Sequence, residues 1–526
     1  MTSTLPIPRL LDPTVYPHPT QNIRVVETHI SWVILTGPFA YKLKKPVRLG
    51  FVHYSTLEQR RRSCEGEVRV SSRFAPDLAM TVVRITGSVD EPRVGGEGEA
   101  IEWGVRLVQF DENDQLDRRC GQNRLAPADC RALGEAIAAI EERLPRALPS
   151  AQFGTAESVL EAAAVNLATL RDGFPDLAGR VHRLEQALQA RLTRAAPTLV
   201  ARKAAGRVRE CHGDLHLANI VLHDGRMTPF DAIEFSDNLR WIDVANDIAF
   251  LTMDLESRGR SDLAAQVVSS WVEAADDHAA LAVIPTYELY RAIVRASIAA
   301  IRNGEDSAPA RAEALRYLDL ADRLALRDQP VMVATCGVSG SGKSIVSGEL
   351  VGAIRGIRIR SDVERKRLAG LRPMERPHDT RPSAAIYDDA SSRRVYGRLR
   401  DLAGGILDSG WSVVVDAACG QRWQRSMLAE VAASRGVPIV WVRFELPAET
   451  VLARVAARQS RGDDPSDATV EVVRRQLETL EPIGADERAD AVVRVTAADD
   501  PDRIVARVAK EAARVAPTGP SASGQV

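Results

Sequence analysis

The sequence predicts two tandem folding units, an α+β unit followed by an α/β unit built on a parallel sheet, and three observations predict it. At 526 residues the chain is too long for one ordinary hydrophobic core. Residues 24–110 carry strand-like segments around a single amphipathic helical stretch, after which helical periodicity takes over. Beyond residue 330 the apolar runs VMVATCG, IRIRSD, SVVVDA, IVWVRFEL and ADAVVRV alternate with helical segments, the pattern of a parallel sheet wound by helices.

Composition sets the bounds. Hydrophobic residues at 45% and charged residues at 27% are the proportions of a folded globular chain, which excludes wholesale disorder. A formal net charge of -2 supplies no global field for a polyanion, so nucleic acid is disfavoured as a partner. No run approaches a membrane span, and no charged segment leads into an apolar stretch at the start, so a cytoplasmic location is expected. The six cysteines are scattered without a C-x-x-C pair and read as buried thiols in a reducing compartment. Only seven of the 69 basic residues are lysines, yet Lys42, Lys44 and Lys45 sit together and Lys343 stands in a Gly-rich turn. A compact ammonium is thus spent at two places.

In chain order, residues 24–49 read as two strands joined at Thr36-Gly37-Pro38, which puts Lys42 on a strand. Residues 56–74 suit an amphipathic helix ended by Pro76, and LAMTVVRITG and EWGVRLVQF then read as strands around the loop VDEPRVGGEGE. From about Ala126, Leu133, Ile137, Ile140 and Leu144 form one apolar helical face, and helices dominate to about Arg194. A short β-like stretch around HGDLHLANIVLHDGRMTPFDAIEF follows, and helices return to about residue 328. The passage RDQP marks the boundary, giving domains at 1–328 (a β-rich lobe at about 20–110, a helical lobe at 111–328) and 329–515, with 516–526 a disordered tail.

The most specific signal is Gly337-Val338-Ser339-Gly340-Ser341-Gly342-Lys343-Ser344, a G-x-x-x-x-G-K-[ST] run that follows an apolar strand and opens a helix. Such glycines let successive backbone N–H groups curl around phosphate oxygens, and the helix N-terminus adds about half a positive charge. Lys343 is positioned to bridge β- and γ-phosphates, Ser344 offers a hydroxyl to Mg²⁺, and Asp416, ending the strand VVVDA, is the acidic partner on the metal. Asp362, just beyond a second strand, lies where ligands of open α/β sheets bind, and a carboxylate there can accept a hydroxyl proton or cap the following helix. Arg454, Arg458 and Arg461 fall at helical spacing, so their guanidinium groups can converge on a transferring phosphate.

A second set lies upstream, in His212-Gly-Asp214-Leu-His216-Leu-Ala-Asn219 and in PFDAIEF with Asp231. Phosphoryl transfer needs oxygens to hold the Mg²⁺ that shields the phosphates, which Asn219 and Asp231 fit, and a carboxylate to orient the nucleophilic hydroxyl, which Asp214 fits. His212 and His216 at i, i+4 lack the Glu of H-E-x-x-H, so a zinc pair is disfavoured. Lys42 and Lys44 share a strand face and Lys45 points away, so spacing cannot choose between the first two.

On these motifs, residues 331–515 resemble the small-molecule kinases of the P-loop NTPase superfamily, near gluconate kinases, chloramphenicol phosphotransferase and polynucleotide kinases. That resemblance implies that Asp362 is the substrate-side base and the arginine helix a lid. Residues 20–325 resemble the aminoglycoside phosphotransferase and choline/protein kinase-like superfamily, which implies a bilobal protein kinase-like fold. There it implies that a strand lysine, Lys42 with Lys44 as alternative, holds nucleotide phosphates and pairs with a helix glutamate, Glu67 with Glu65 as alternative. It also implies that RLVQF at 106–110 is the hinge meeting adenine and that Asp247 braces the HGD loop. The sequence departs from protein kinases: Gly37 is the only glycine in the expected flap, Asp231 is followed by Ala-Ile-Glu, and no A-P-E segment follows. Glu234 is open to two assignments, a second-metal ligand or a surface carboxylate. The whole arrangement resembles a bacterial group of two-domain phosphotransferase/ATPase proteins.

The leading expectation is a bifunctional ATP- and Mg²⁺-dependent phosphotransferase acting on hydroxyl groups of a sugar, aminosugar or antibiotic-like compound. One alternative makes the P-loop half a nucleotide-binding switch for its neighbour. Another makes it a polynucleotide 5′-kinase, drawing on Arg365, Lys366, Arg367, Arg372, Arg376 and Arg381, with Tyr387 the lone aromatic nearby.

Overall fold

The computed structural model describes residues 7–48, 52–301, 307–326, 329–372, 375, 388–461 and 469–516. The 516–526 tail beyond its first residue, residues 327 and 328 of the expected boundary, and Arg376, Arg381 and Tyr387 lie outside the described residues, as do the side chains of Arg458 and Arg461. The chain divides into two compact units, one of Met1–Leu125, Ala139–Val181 and Leu188–Asp254, the other of Ala126–Ala138, His182–Ala187 and Leu255–Val526. No described helix is long and apolar enough to cross a membrane, and all six cysteines are buried and outside any disulfide.

The first unit begins with an antiparallel sheet of β1 (Arg24–Glu27), β2 (Ser31–Leu35), β3 (Phe39–Lys44), β4 (Thr81–Gly87), β5 (Pro92–Val94) and β6 (Glu102–Val108), in the order β1-β2-β3-β6-β4-β5. The expected first strand is two: Thr28 turns the chain, its amide and hydroxyl both donating to the Ser31 carbonyl at 2.9 and 3.0 Å. The polar Glu-Thr-His segment therefore breaks the β-branched run into a hairpin. The expected loop after β4 also holds β5, paired to it from Ile85↔Val94 to Gly87↔Pro92.

Both faces of the sheet are covered at β3, whose residues are buried or half-buried throughout. Tyr41 and Leu43 join Leu10, Val15, Tyr16, Ile34 and Ile85 in one apolar cluster. The opposite face receives the helix Leu57–Ser71, whose Cys64 packs with Val105, Leu78 and Met80. A capping box between Thr56 and Gln59 starts that helix where the sequence indicates. Further on come β7 (Val208–Glu210), β8 (Ile220–His223), β9 (Arg226–Pro229) and β10 (Trp241–Asp243), as two two-stranded pairs, β7 with β10 and β8 with β9.

In the second unit, β11 (Met332–Cys336), β12 (Gly356–Arg360), β13 (Ser412–Asp416), β14 (Ile439–Phe444) and β15 (Ala491–Val495) form a parallel sheet in the order β12-β13-β11-β14-β15. The inner strands β11, β13 and β14 are almost wholly buried because helices cover them, as with Val346 and Leu350 of the helix Lys343–Ala353 and Ile504 and Val508 of the helix Pro501–Val515, whereas β15 leaves Val492 and Arg494 exposed. The helix Ser261–Ala275 is also part of this unit. Its Gln266 side chain donates to the Gly348 carbonyl at 2.8 Å, and its Ser269 hydroxyl accepts the Arg358 amide of the edge strand β12 at 3.0 Å.

The helix Pro127–Glu141 meets Ser261–Ala275 at Gly134, where an added Cβ would lie 2.2 Å from the Ser270 hydroxyl and 2.6 Å from the Val267 carbonyl oxygen. Gly134→Ala is therefore expected to cost about 1–3 kcal/mol, as overpacking does. Thermal denaturation checks it, and an unchanged midpoint would mean that the two helices are not in contact there.

Candidate functional sites

The first site is assembled from β3, the helix Leu57–Ser71 and the segment after β9. The Lys42 ammonium donates to Glu67 Oε1 at 2.9 Å and pairs with Asp231. Lys44 is fully buried and faces Glu67 Oε2 and Glu234 Oε1, each at 2.5 Å. Lys45 points the other way and pairs with Glu27, as strand alternation requires. Of the two lysines that spacing could not separate, Lys42 is the one that reaches Asp231. Glu65 instead pairs with Arg61 on the exposed side of its helix.

Glu234 is neither a surface carboxylate nor placed to take a second metal. Its side chain is 4% exposed and accepts hydrogen bonds from Tyr54 at 2.7 Å and Ser63 at 2.8 Å besides pairing with Lys44. Burial works against charge on Lys42, but Asp231 and Glu67 raise its pKa; Lys44 is raised well above its ordinary value against the same penalty by Glu234 and Glu67. Burial pushes Glu234 up, and the Lys44 and Lys42 ammoniums outweigh it and hold the carboxyl down at about 2.

The HGD loop is held from behind by the helix Val244–Ser257. Both oxygens of Asp247 accept backbone N–H groups, from His212 at 2.7 Å and Gly213 at 2.9 Å, as the sequence resemblance implies. Asp254, two turns further along that helix, accepts the Leu217 amide at 3.1 Å, a brace the sequence reading missed. The His212 ring meets the Phe230 carbonyl at 2.9 Å and accepts the Asp214 amide at 3.4 Å, and His216 Nε2 lies 3.4 Å from Asp214 Oδ2, so both rings brace Asp214. Asn219 donates to the Asp214 carbonyl at 3.0 Å and to its carboxylate at 2.9 Å.

The β8–β9 hairpin sets the remaining geometry. Ile220 is opposite Pro229 and the Phe230 amide donates to the Asn219 carbonyl at 2.9 Å, which brings Asn219 beside the residue preceding Asp231. Asp231 has φ +63°, a conformation that Asp tolerates better than most residues, and its side chain is 43% exposed. Two ammonium groups and three carboxylates meet here, with the surplus negative charge at the open end on Asp231. A carboxylate and an amide oxygen are hard donors of the kind Mg²⁺ takes, so this set fits a magnesium ion.

The second site surrounds the turn from β11 into the helix Lys343–Ala353. Gly337, Gly340 and Gly342 all have φ between +85° and +148°, the conformations that only glycine adopts cheaply. The loop is folded on itself by Lys343, whose ammonium donates to the Val338 carbonyl at 2.8 Å, and is anchored by the Gly337 amide on the Ala418 carbonyl at 2.8 Å. The Ser339 amide donates to the Gln476 side chain at 2.8 Å, a partner that no sequence signal identifies.

A cavity of about 1540 Å³ opens on this loop, lined by residues 337–346 together with Asp362, Asp416, Arg360, Arg365 and Arg454. Arg454 is on the helix Ala448–Arg461, whose Val451 and Val455 pack on Val338 and Val473. That helix approaches so closely that a Cβ on Gly340 would lie 2.5 Å from Val455 Cγ2, and Arg454 Nη1 lies 3.9 Å from the Cβ position of Gly342. Asp416 ends β13 and accepts the Ser347 hydroxyl at 2.8 Å. Ser347 was missed, although it lies one turn beyond Ser344 on the same helix. Carboxylate and hydroxyl oxygens at Asp416 and Ser344 are again a hard donor set that fits Mg²⁺.

Asp362 is in the first turn of the helix Ser361–Leu368, and the cap is Arg360, so Asp362 does not serve as the N-cap. In the basic run that follows, Arg365 and Lys366 are buried and Arg367 pairs with Glu364, so these three do not form a solvent-facing basic strip.

These two sites, on an antiparallel-sheet unit and on a P-loop unit, define a chain of the kinase and phosphotransferase class. Residues 51–284 match the model of the phosphotransferase enzyme family and residues 332–483 that of the AAA domain, which places the chain among kinase and phosphotransferase enzymes. Uncharacterized proteins of Mycobacterium bovis and Mycobacterium tuberculosis are 29% identical over 470 residues, covering 88% of this chain and 91% of theirs. Among solved structures, a gluconokinase from Sinorhizobium meliloti 1021 is similar at 24% identity, covering 36% of this chain and 95% of its own, with a TM-score of 0.26. A choline/ethanolamine kinase family protein from Mesorhizobium loti is similar at 12% identity over 59% of this chain and 89% of its own, with a TM-score of 0.34.

The Lys44–Glu234 pair makes a pH prediction. Because the folded carboxyl sits below its ordinary 4.5, its contribution is present above that value and lost as pH falls towards about 2. Glu234→Gln is expected to cost about 3 kcal/mol at pH 7 and to flatten the acid limb of stability. Urea unfolding at pH 7 and pH 3 measures both, and equal losses at the two values would remove the carboxylate from the account.

Proposed function

We propose that the chain is a bifunctional phosphotransferase with two separate sites, each using ATP and Mg²⁺ to phosphorylate a hydroxyl group of a small molecule of the sugar, aminosugar or antibiotic-like class. The observation that carries this is the joining of Lys42 to both Glu67 and Asp231, with Asp214 tied to Asn219 on a loop braced by Asp247. An ammonium, a carboxylate and an amide oxygen are what a triphosphate and its metal need, and Asp214, held by Asn219, is the carboxylate that would orient the acceptor hydroxyl. Magnesium, when bound, shields phosphate charge, and Asn219 and Asp231 are the residues that would hold it.

In the second site the loop 337–344 offers backbone N–H groups and Lys343 to phosphates, Arg454 adds a guanidinium, and Ser344 and Asp416 would hold the metal. Asp362, in the same cavity, would take the acceptor proton. The burial of Arg365 and Lys366 supports a small acceptor over a nucleic acid end. Six buried cysteines outside any disulfide support a reducing compartment, the cytoplasm.

The test measures γ-phosphate transfer from ATP across a panel of sugars and aminosugars for wild type, Asp214→Asn and Lys343→Ala. Each substitution is expected to lower one transfer activity by about 10²-fold or more and spare the other. If Lys343→Ala abolished every activity, the P-loop would be a controlling switch; if Asp214→Asn spared every activity, the first site would carry no transfer.

A further inference from the structure

Arg360 ends β12 directly beside Asp416, the last residue of β13, and the parallel register pairs the two positions. Paired positions in neighbouring parallel strands present their side chains to the same face. Both line the cavity above the glycine-rich loop. A guanidinium on that face is a direct competitor for the carboxylate proposed to hold magnesium, since one Asp416 oxygen already accepts from Ser347.

The competitor is occupied elsewhere. Arg360 makes a two-pronged pair with Glu273, with Nε donating to Oε2 at 2.8 Å and Nη2 pairing with Oε1. Glu273 stands in the last turn of the helix Ser261–Ala275, and the flanking contacts hold it there. Ser269 and Gln266 of the same helix bind the Arg358 amide and the Gly348 carbonyl, and Arg367 donates to the Glu273 carbonyl. Asp276, which closes the helix in a left-handed conformation, lies 3.4 Å from Arg367 and 3.5 Å from Arg398. Glu273 belongs to the stretch matching the phosphotransferase family, whereas the cavity belongs to the stretch matching the AAA domain.

We infer that Glu273 is a positioning residue of the P-loop site, whose two-pronged hold on Arg360 keeps Asp416 available to a divalent cation. The inference rests on the proposed magnesium and nucleotide reading of that site. Removing the charge at Glu273 frees the guanidinium to pair with Asp416, so the cation must then displace it. A role confined to stability would leave the Mg²⁺ dependence unchanged in Glu273→Gln and move only the thermal midpoint.

The experiment titrates Mg²⁺ against the full-length protein at a fixed, subsaturating concentration of a fluorescent ADP analogue and reads bound nucleotide, with thermal denaturation alongside. Glu273→Gln is expected to raise the half-saturating Mg²⁺ concentration roughly fivefold, the scale of a partly exposed charge pair. Glu273→Asp is expected to fall between the two, and the double variant Glu273→Gln with Arg360→Met is expected to return towards wild type. An unchanged Mg²⁺ dependence in Glu273→Gln, or a double variant no better than the single one, overturns the inference while leaving the nucleotide site standing. Wild-type protein that binds the analogue no better than Lys343→Ala, or without any response to Mg²⁺, overturns the site reading and this inference with it.

Discussion

Two lysines on one face of β3 need counter-charges in a place where water cannot supply them, and the first unit is arranged around that need. Taking an ammonium out of water costs several kcal/mol unless it is paired. Lys42 and Lys44 find Glu67 on the helix Leu57–Ser71 and Asp231 and Glu234 on the segment after β9. Three pieces of chain far apart in sequence are thereby fixed together, with the more exposed lysine turned to the candidate site and the more buried one acting as its support. The same segment leads into the hairpin that sets Asn219 near Asp231, so the charge network and the proposed metal ligands share one scaffold.

The second unit meets a different constraint, since a wall that attracts phosphate also carries carboxylates. Its cavity is lined by guanidinium and carboxylate groups together, and its chemistry depends on which of them are already committed. Arg360 is held by Glu273, Asp416 is oriented by Ser347, and Arg454 is brought to the glycine turn by two valines. Apolar packing therefore decides where one charge stands, and ion pairing decides where another does not.

Much of this was legible in the sequence because the motifs are local. The glycine-rich run, the HGD loop and Asp416 at a strand end could be placed on their elements from spacing and flanking residues alone, and Asp247 followed from resemblance. What spacing could not decide was which of Lys42 and Lys44, or of Glu65 and Glu67, meets a partner, because strand alternation and helical periodicity give faces and not contacts. The burial of Glu234 depended on Tyr54, Ser63 and Lys44, some 170 to 190 residues away, and no local pattern announces that. The turn at Thr28 was overlooked because the β-branched residues on both sides read as one run. The part played by Ser261–Ala275 was hidden for a simpler reason: its apolar periodicity reads as an ordinary core helix, and nothing local says which core.

That helix also shields a vulnerable border. β12 is the outermost strand on its side of the parallel sheet, and the hydroxyl of Ser269 satisfies one of its outward amides. A fragment starting at β11 would lack this cover and present a bare, β-branched strand edge, a ready template for sheet extension by another copy. The divide suggested by the family matches is thus a poor place to cut the polypeptide, and self-association of such a fragment would reflect lost shielding and say nothing about the native oligomer.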